Sequence, residues 1–192
     1  MTRLNDTTQR IIEAAAALFL ARGFGAVSMD QIALCAGITK VTVYQHFRSK
    51  EQLLVDCLRW RLARREAALD LYLAAHQPGP ASVSAIFEWV AANAEAGNYQ
   101  GCAFLKATAE MAEALPEVRE VARDAKRRMR DRLTLHAAEK CQSDAVRTGE
   151  ACSLLLEGAQ AMSLVESSSA PFRAARAQAA RLLVGNYAKA AR

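Results

Sequence analysis

Between Ser28 and Phe47, in SMDQIALCAGITKVTVYQHF, two helix starts and one helix stop fall in close succession. That density of signals leaves little room for anything but two short helices joined by a tight turn. Ser28 and Gln31 have the spacing of a capping box, in which the serine oxygen accepts from an exposed helix-end amide and the glutamine reaches back. Ile32, Ala33 and Ala36 form a narrow apolar stripe, and Ala33 is small enough for close helix approach. Gly37 supplies the left-handed residue that ends a helix, and Ile38 anchors the turn. Thr39 is an N-cap for the second helix, in which Val43 and Phe47 share a buried face at i and i+4. Lys40, Val41, Thr42, Tyr44, Gln45 and His46 are then directed largely outward.

The flanks fit a compact helical unit around this pair. Upstream, Ile11, Ala15, Leu18 and Phe19 recur at i, i+4, i+7 and i+8, the spacing of an amphipathic helix from about Thr7. Arg22 and Gly23 end it with a basic last turn and a left-handed stop. Downstream, Ser49 and Gln52 form a second capping box that opens a long helix through Leu53, Leu54, Cys57 and Trp60 towards His76.

From about Gln9 to Leu58 the chain resembles the DNA-binding domain of the TetR (tetracycline-repressor-like) family of bacterial regulators. The residues that carry the likeness are IIEAAAALFLARGF, then Ser28 with Ile32-Ala33, then AGITKVTVYQHFRSKEQLL. One departure is Val41, where many relatives have glycine or another small residue, a change that bears on base preference rather than fold. The resemblance implies an all-α chain of about nine helices. Its first domain, residues 1–50, would be a three-helix DNA-binding domain with a helix-turn-helix. Its second, residues 51–192, would be a helical ligand-binding and dimerisation domain.

A recognition helix reads bases with short side chains near its N-terminus and holds phosphates at its flanks. On that logic Thr39, Lys40, Val41 and Thr42 occupy the reading turn. Lys40 is suited to guanine, Val41 to a thymine methyl and Thr42 to a base or phosphate. Tyr44, His46 and Lys50 are expected as phosphate contacts, Lys50 lying also at a helix start. The resemblance adds Ser28 and Met29 as neighbours of the DNA backbone and Gln45 as a residue that can reach a base. Net charge is a weak guide: it is +5 overall, and residues 1–60 hold seven Lys and Arg against five Asp and Glu. The basic excess is not concentrated in the head.

Beyond residue 76 the chain reads as helices with breaks. Gln77-Pro78-Gly79-Pro80 interrupts it, and Ser82 or Ser84 is expected to cap a helix carrying Ile86, Phe87, Trp89, Val90 and Ala94, ending near Gly97-Asn98. A helix within Gly101 to Ala114 follows, and Pro116 opens another that runs to about Cys141. Two last helices, near Arg147–Ser167 and Pro171–Ala190, are joined through Ser168-Ser169-Ala170. By resemblance the last two form a homodimer interface, with Leu154, Leu155, Gly158, Met162, Val165, Leu182, Leu183 and Asn186 as its residues. The middle helices would enclose the pocket of an unknown small-molecule effector. Trp60, Phe87, Trp89, Tyr99, Cys102, Phe104, Met111 and Met129 are its candidate walls. Cys102 also stands where a helix start can activate a thiol.

Other classes fare worse. No G-x-S-x-G, P-loop, Rossmann glycine pattern or metal-binding helix occurs, so no enzyme, cofactor or metal is expected. Five cysteines make an odd number with no C-x-x-C pair, which fits small core residues in a reducing cytoplasm. No signal-like apolar region precedes the first helix, and no membrane partner is expected. The combined expectation is a cytoplasmic repressor that leaves a near-palindromic double-stranded DNA operator when its effector binds. The alternative is a helical small-molecule-binding or thiol-sensing protein without operator binding.

Overall fold

The computed structural model describes residues 6–95, 99–138 and 144–190, with residues 184–190 as backbone only. Among these residues the chain is all helix, in nine elements and without a strand. They are α1 (Asp6–Arg22), α2 (Met29–Ala36), α3 (Lys40–His46), α4 (Lys50–Leu73), α5 (Pro80–Glu95), α6 (Ala103–Met111), α7 (Pro116–Ala138), α8 (Ala145–Glu166) and α9 (Ala170–Ala190). None of them is long and apolar enough to cross a membrane.

The chain gathers into two compact units. The first takes residues up to Arg65 together with Ala103–Ala125, and the second takes Glu66–Cys102 with Lys126 onward. The chain therefore passes from one unit to the other three times, inside α4 at Arg65–Glu66, at Cys102–Ala103 just before α6, and inside α7 at Ala125–Lys126.

In the first unit α1 packs against α2 and α2 against α3, and Ile11, Ala15 and Phe19 of α1, Ile32 of α2, Val43 of α3 and Leu53 of α4 are all buried. The α1–α2 connection is held from two sides. Lys50, the first residue of α4, donates to the carbonyls of Phe24 and Val27 at 3.0 and 2.9 Å, and its ammonium lies 4.1 Å from the Phe24 ring centre. From α6, Glu110 accepts the Phe24 amide at 2.7 Å and Lys106 donates to the Leu20 carbonyl at 2.7 Å. Lys106 thus satisfies a carbonyl in the last turn of α1, which a helix leaves without an internal partner. Farther along α4, the Arg65 guanidinium donates to the Ala125 carbonyl and stacks on Phe104.

The second unit is built on Phe87, Phe172, Leu69, Ile86, Leu133 and Leu156, each almost wholly buried. Here α9 packs against both α8 and α5. Arg132 of α7 ties back to α4 through Glu66 at 3.0 Å and through Asp70.

One helix start differs from the sequence expectation. α5 begins at Pro80, two residues before Ser82, because a proline at the first helical position loses no hydrogen bond. Ser82 is left inside the first turn, fully buried, donating to the Gly79 carbonyl at 2.7 Å and paired with His136 Nδ1 at 2.8 Å. The expected break at Gly97-Asn98 and the fourth of the five cysteines, Cys141, lie outside the described residues.

Candidate nucleic-acid interface

The helix pair α2–α3 is built as its local chemistry requires. Ser28 accepts from the Gln31 amide at 3.2 Å while the Gln31 side chain accepts from the Ser28 amide at 2.8 Å, a closed capping box. At the other end Gly37 adopts φ 65°, the left-handed region, and the Ile38 amide returns to the Ala33 carbonyl at 3.0 Å. Arg10 of α1 donates to the carbonyls of Ala36 and Gly37 at 2.6 and 3.2 Å, closing the turn from below. A Cβ on Gly37 would stand 3.1 Å from that guanidinium, so both conformation and space favour glycine.

α3 is capped by Thr39, whose hydroxyl accepts from the Thr42 amide at 3.2 Å and lies 2.8 Å from the Thr42 hydroxyl. Val43 and Phe47 are buried beneath it. Outward it presents Thr39, Lys40, Val41, Tyr44 and Gln45, of which Val41 is 68% and Tyr44 47% exposed. Side chains of this reach on one exposed face can enter a major groove and touch base edges.

The remaining candidates are placed differently. Ser28 is exposed at the start of α2, but Met29 is buried in the core of the unit. Thr42 and His46 are half-buried, and His46 Nδ1 pairs with the Thr8 hydroxyl at 2.9 Å. Lys50 is committed to the α1–α2 connection described above. Asp30, which local pattern marks only as an acidic first-turn residue, meets Lys40 Nζ at 2.8 Å across the two helices. That pairing holds the Lys40 pKa above its usual value.

The expected pocket residues divide between the units. Trp60, Phe104 and Met111 belong to the first, and Phe87, Trp89, Tyr99, Cys102 and Met129 to the second. Phe87 and Met129 are core, with Trp89 and Tyr99 packed partly buried against them. Beside Tyr99 lies a polar cluster that sequence spacing did not bring together. Lys126 Nζ is 3.3 Å from the Cys102 sulfur and ion-paired with Glu157 of α8, and the Tyr99 hydroxyl donates to the Gln160 carbonyl at 3.3 Å. Burial first, and then Cys102 and Glu157, push the Tyr99 hydroxyl up to about 12. No metal-binding group of side chains occurs among the described residues.

On α8 and α9, Leu154, Leu155, Gly158, Met162 and Leu182 line one open apolar groove, with Val165 78% exposed nearby on α8. Leu183 turns the other way, into the core of its own unit, and the side chain of Asn186 lies outside the described residues.

Two family models match the chain. One, for bacterial regulatory proteins of the tetR family, takes residues 11–57, and one for the C-terminal domain of LmrA/YxaF-like transcriptional regulators takes residues 80–178. Over 66 residues, 34% of its length, the chain is 42% identical to the HTH-type transcriptional regulator SrpR of Pseudomonas putida. Over 72 residues, 35% of its length, it is 36% identical to the HTH-type transcriptional repressor KstR2 of Mycobacterium tuberculosis. These alignments take in only 29% and 36% of the relatives' own lengths. The crystal structure of SCO4454, a TetR-family transcriptional regulator from Streptomyces coelicolor, superposes with TM-score 0.83 at 25% identity. It matches over 92% of this chain and 95% of that one.

Proposed function

Since the chain belongs to the TetR family of bacterial regulatory proteins, we propose that it is a cytoplasmic repressor that binds a near-palindromic operator as a homodimer and leaves it when a small molecule binds. The observation that carries this reading is the outward face of α3, where Val41 and Tyr44 are exposed over a buried Val43 and Phe47. Exposed apolar side chains of that size have a use in the groove, where a thymine methyl offers Val41 a partner. One seven-residue helix spans too few base pairs for useful specificity, so two are required, about 34 Å apart on successive major grooves. The apolar groove on α8 and α9 supports a second copy as the means of doubling it.

The polar cluster of Tyr99, Cys102, Lys126 and Glu157 is the place in the second unit where an effector would find directional partners beside an apolar wall. An effector shifts the DNA-binding equilibrium only by its difference in affinity for the two states. α4, α7 and the Cys102–Ala103 step into α6 are the covalent routes by which such a difference reaches the first unit, and Glu110, Lys106 and Lys50 are the side chains that hold the α1–α2 connection there. Retardation of the DNA upstream of its own gene tests the reading. The wild type is expected to retard it at low salt. Tyr44→Ala is expected to weaken binding about five- to 150-fold, a loss on the order of 1–3 kcal/mol. A folded wild type that retards no such fragment removes the reading.

A second reading, a thiol-responsive regulator, is favoured by the ammonium of Lys126 beside Cys102. Alkylating Cys102 in a Cys35→Ser, Cys141→Ser background, which removes the thiol exposed among the described residues and the one outside them, is expected to lower operator affinity. Unchanged affinity after complete alkylation rules this reading out.

A further inference from the structure

The cations of residues 6–52 are Arg10, Arg22, Lys40, Arg48 and Lys50. Three of them have partners inside the first unit. Arg10 donates to the carbonyls of Ala36 and Gly37, Lys50 donates to those of Phe24 and Val27, and Lys40 is paired with Asp30. Arg22 and Arg48 make no hydrogen bond or ion pair with any described residue. Their places differ. The Thr8 hydroxyl, 2.9 Å from His46 Nδ1, brings the start of α1 to the end of α3. Arg22 closes α1 at its other end, about 20 Å farther along the helix axis. Arg48 stands two residues beyond His46, directly after α3. Resting on the DNA-binding reading above, we propose that Arg48 is the residue that anchors each head to a DNA phosphate, and that Lys50 does not.

The backbone aims Arg48 outward. Phe47 is extended, with φ −133° and ψ 120°, and successive side chains of an extended backbone leave on opposite sides. Phe47 takes the inner side, 5% exposed, and Arg48 takes the solvent side, following the exposed Tyr44 and Gln45 of α3. Glu51, the nearest carboxylate along the chain, is exposed and does not pair with it. A phosphate therefore takes nothing from the fold. Arg48 gives up only water, and its guanidinium offers parallel N–H donors that match two phosphate oxygens. Lys50 is placed the other way. To reach a phosphate its ammonium would leave two carbonyls and the face of the Phe24 ring, and the α1–α2 connection would lose its tie to α4. A division of labour follows. The first turn of α3 meets base edges, Arg48 fixes the register of the head on the backbone, and Lys50 shapes the head from within.

The test compares the full chain as wild type, Arg48→Met, Arg48→Lys and Lys50→Met. Each is titrated with two duplexes of about 30 base pairs, one of arbitrary sequence and one selected by the wild type from a randomised pool, between about 50 and 200 mM salt. Arg48→Met is expected to flatten the dependence of log affinity on log salt by about 0.9 for each head bound, the value of one phosphate contact. At about 150 mM salt this is a loss of roughly fivefold per head. Both duplexes should lose alike, because a phosphate contact carries no sequence information. Arg48→Lys should restore most of the slope, and Arg48→Met should unfold at the wild-type temperature. Lys50→Met should keep the wild-type slope and unfold at a lower temperature. A Lys50→Met chain too unstable to titrate agrees with that role, and the Arg48 variants then decide alone. The proposal is overturned if Arg48→Met keeps the wild-type slope, if it loses affinity on the selected duplex only, or if Lys50→Met flattens the slope as much as Arg48→Met does. Failure of the folded wild type to bind either duplex at the lowest salt is a different result. It removes the DNA-binding reading and the proposal with it.

Discussion

Single residues separate what a local pattern can announce from what it cannot. Ser28, Gly37 and Thr39 act through neighbours three to five positions away, and their roles were legible in the sequence for that reason. Lys50 was not. Its position at a helix start suggested a phosphate contact, but its partners are the carbonyls of Phe24 and Val27, more than twenty residues back. Glu110 reaches Phe24 across an even longer separation, and no spacing rule would pair them. Tyr99 offers a test at this scale. Its hydroxyl is pushed up to about 12, whereas an unfolded chain releases a tyrosine proton near about 10. Between those values the unfolded state binds fewer protons than the folded one, so this group's contribution to stability falls as pH rises. Denaturation midpoints measured from about pH 9 upward should therefore decline less steeply for Tyr99→Phe than for the wild type, with little difference near about pH 8. An identical decline would show that the folded environment does not hold that proton.

At the scale of elements, the number and order of helices followed from capping boxes, Pro-Gly breaks and apolar spacing, because each of those signals is confined to one turn of chain. The start of α5 was misplaced by at least three residues because Ser82 and Ser84 resemble caps by type, while Pro80 claims the first position by having no amide to lose. What the elements do to one another was harder to see. α7 and α8 approach closely at Gly149, where an added Cβ would lie 2.0 Å from the Thr134 hydroxyl and 2.7 Å from its Cα. In sequence Gly149 is merely a helix-weakening residue near the start of α8. The contact with backbone gives the neighbour no room to give way, so Gly149→Ala is expected to destabilise the chain by about 1–3 kcal/mol despite its better helix propensity. Urea denaturation measures this, and a more stable variant would mean that α7 and α8 do not meet at Thr134.

For the whole molecule, the all-α fold and its family were visible in one quarter of the chain, since the head concentrates its signals between Ser28 and Leu54. Function at the other end was less legible. The residues expected to line a pocket turned out to include core side chains such as Phe87, and the polar cluster of Lys126 with Cys102 and Glu157 comes from three separated segments. The division of the apolar residues on α8 and α9 is instructive too: Leu154 is 74% exposed while Leu183, equally apolar, fills the unit's own core. Periodicity assigns a residue to a face without saying which face meets a partner. We propose that two copies of this chain, joined through α8 and α9, place two α3 helices on one operator. Sedimentation of the protein with a labelled duplex from its upstream region, at stepped salt, measures this directly. The expected result is two chains, or a multiple of two, on each duplex, an affinity that falls steeply with salt, and failure of Leu154→Arg to form the paired complex. A single chain bound per duplex with full affinity, or a Leu154→Arg variant that assembles on DNA as the wild type does, would contradict it.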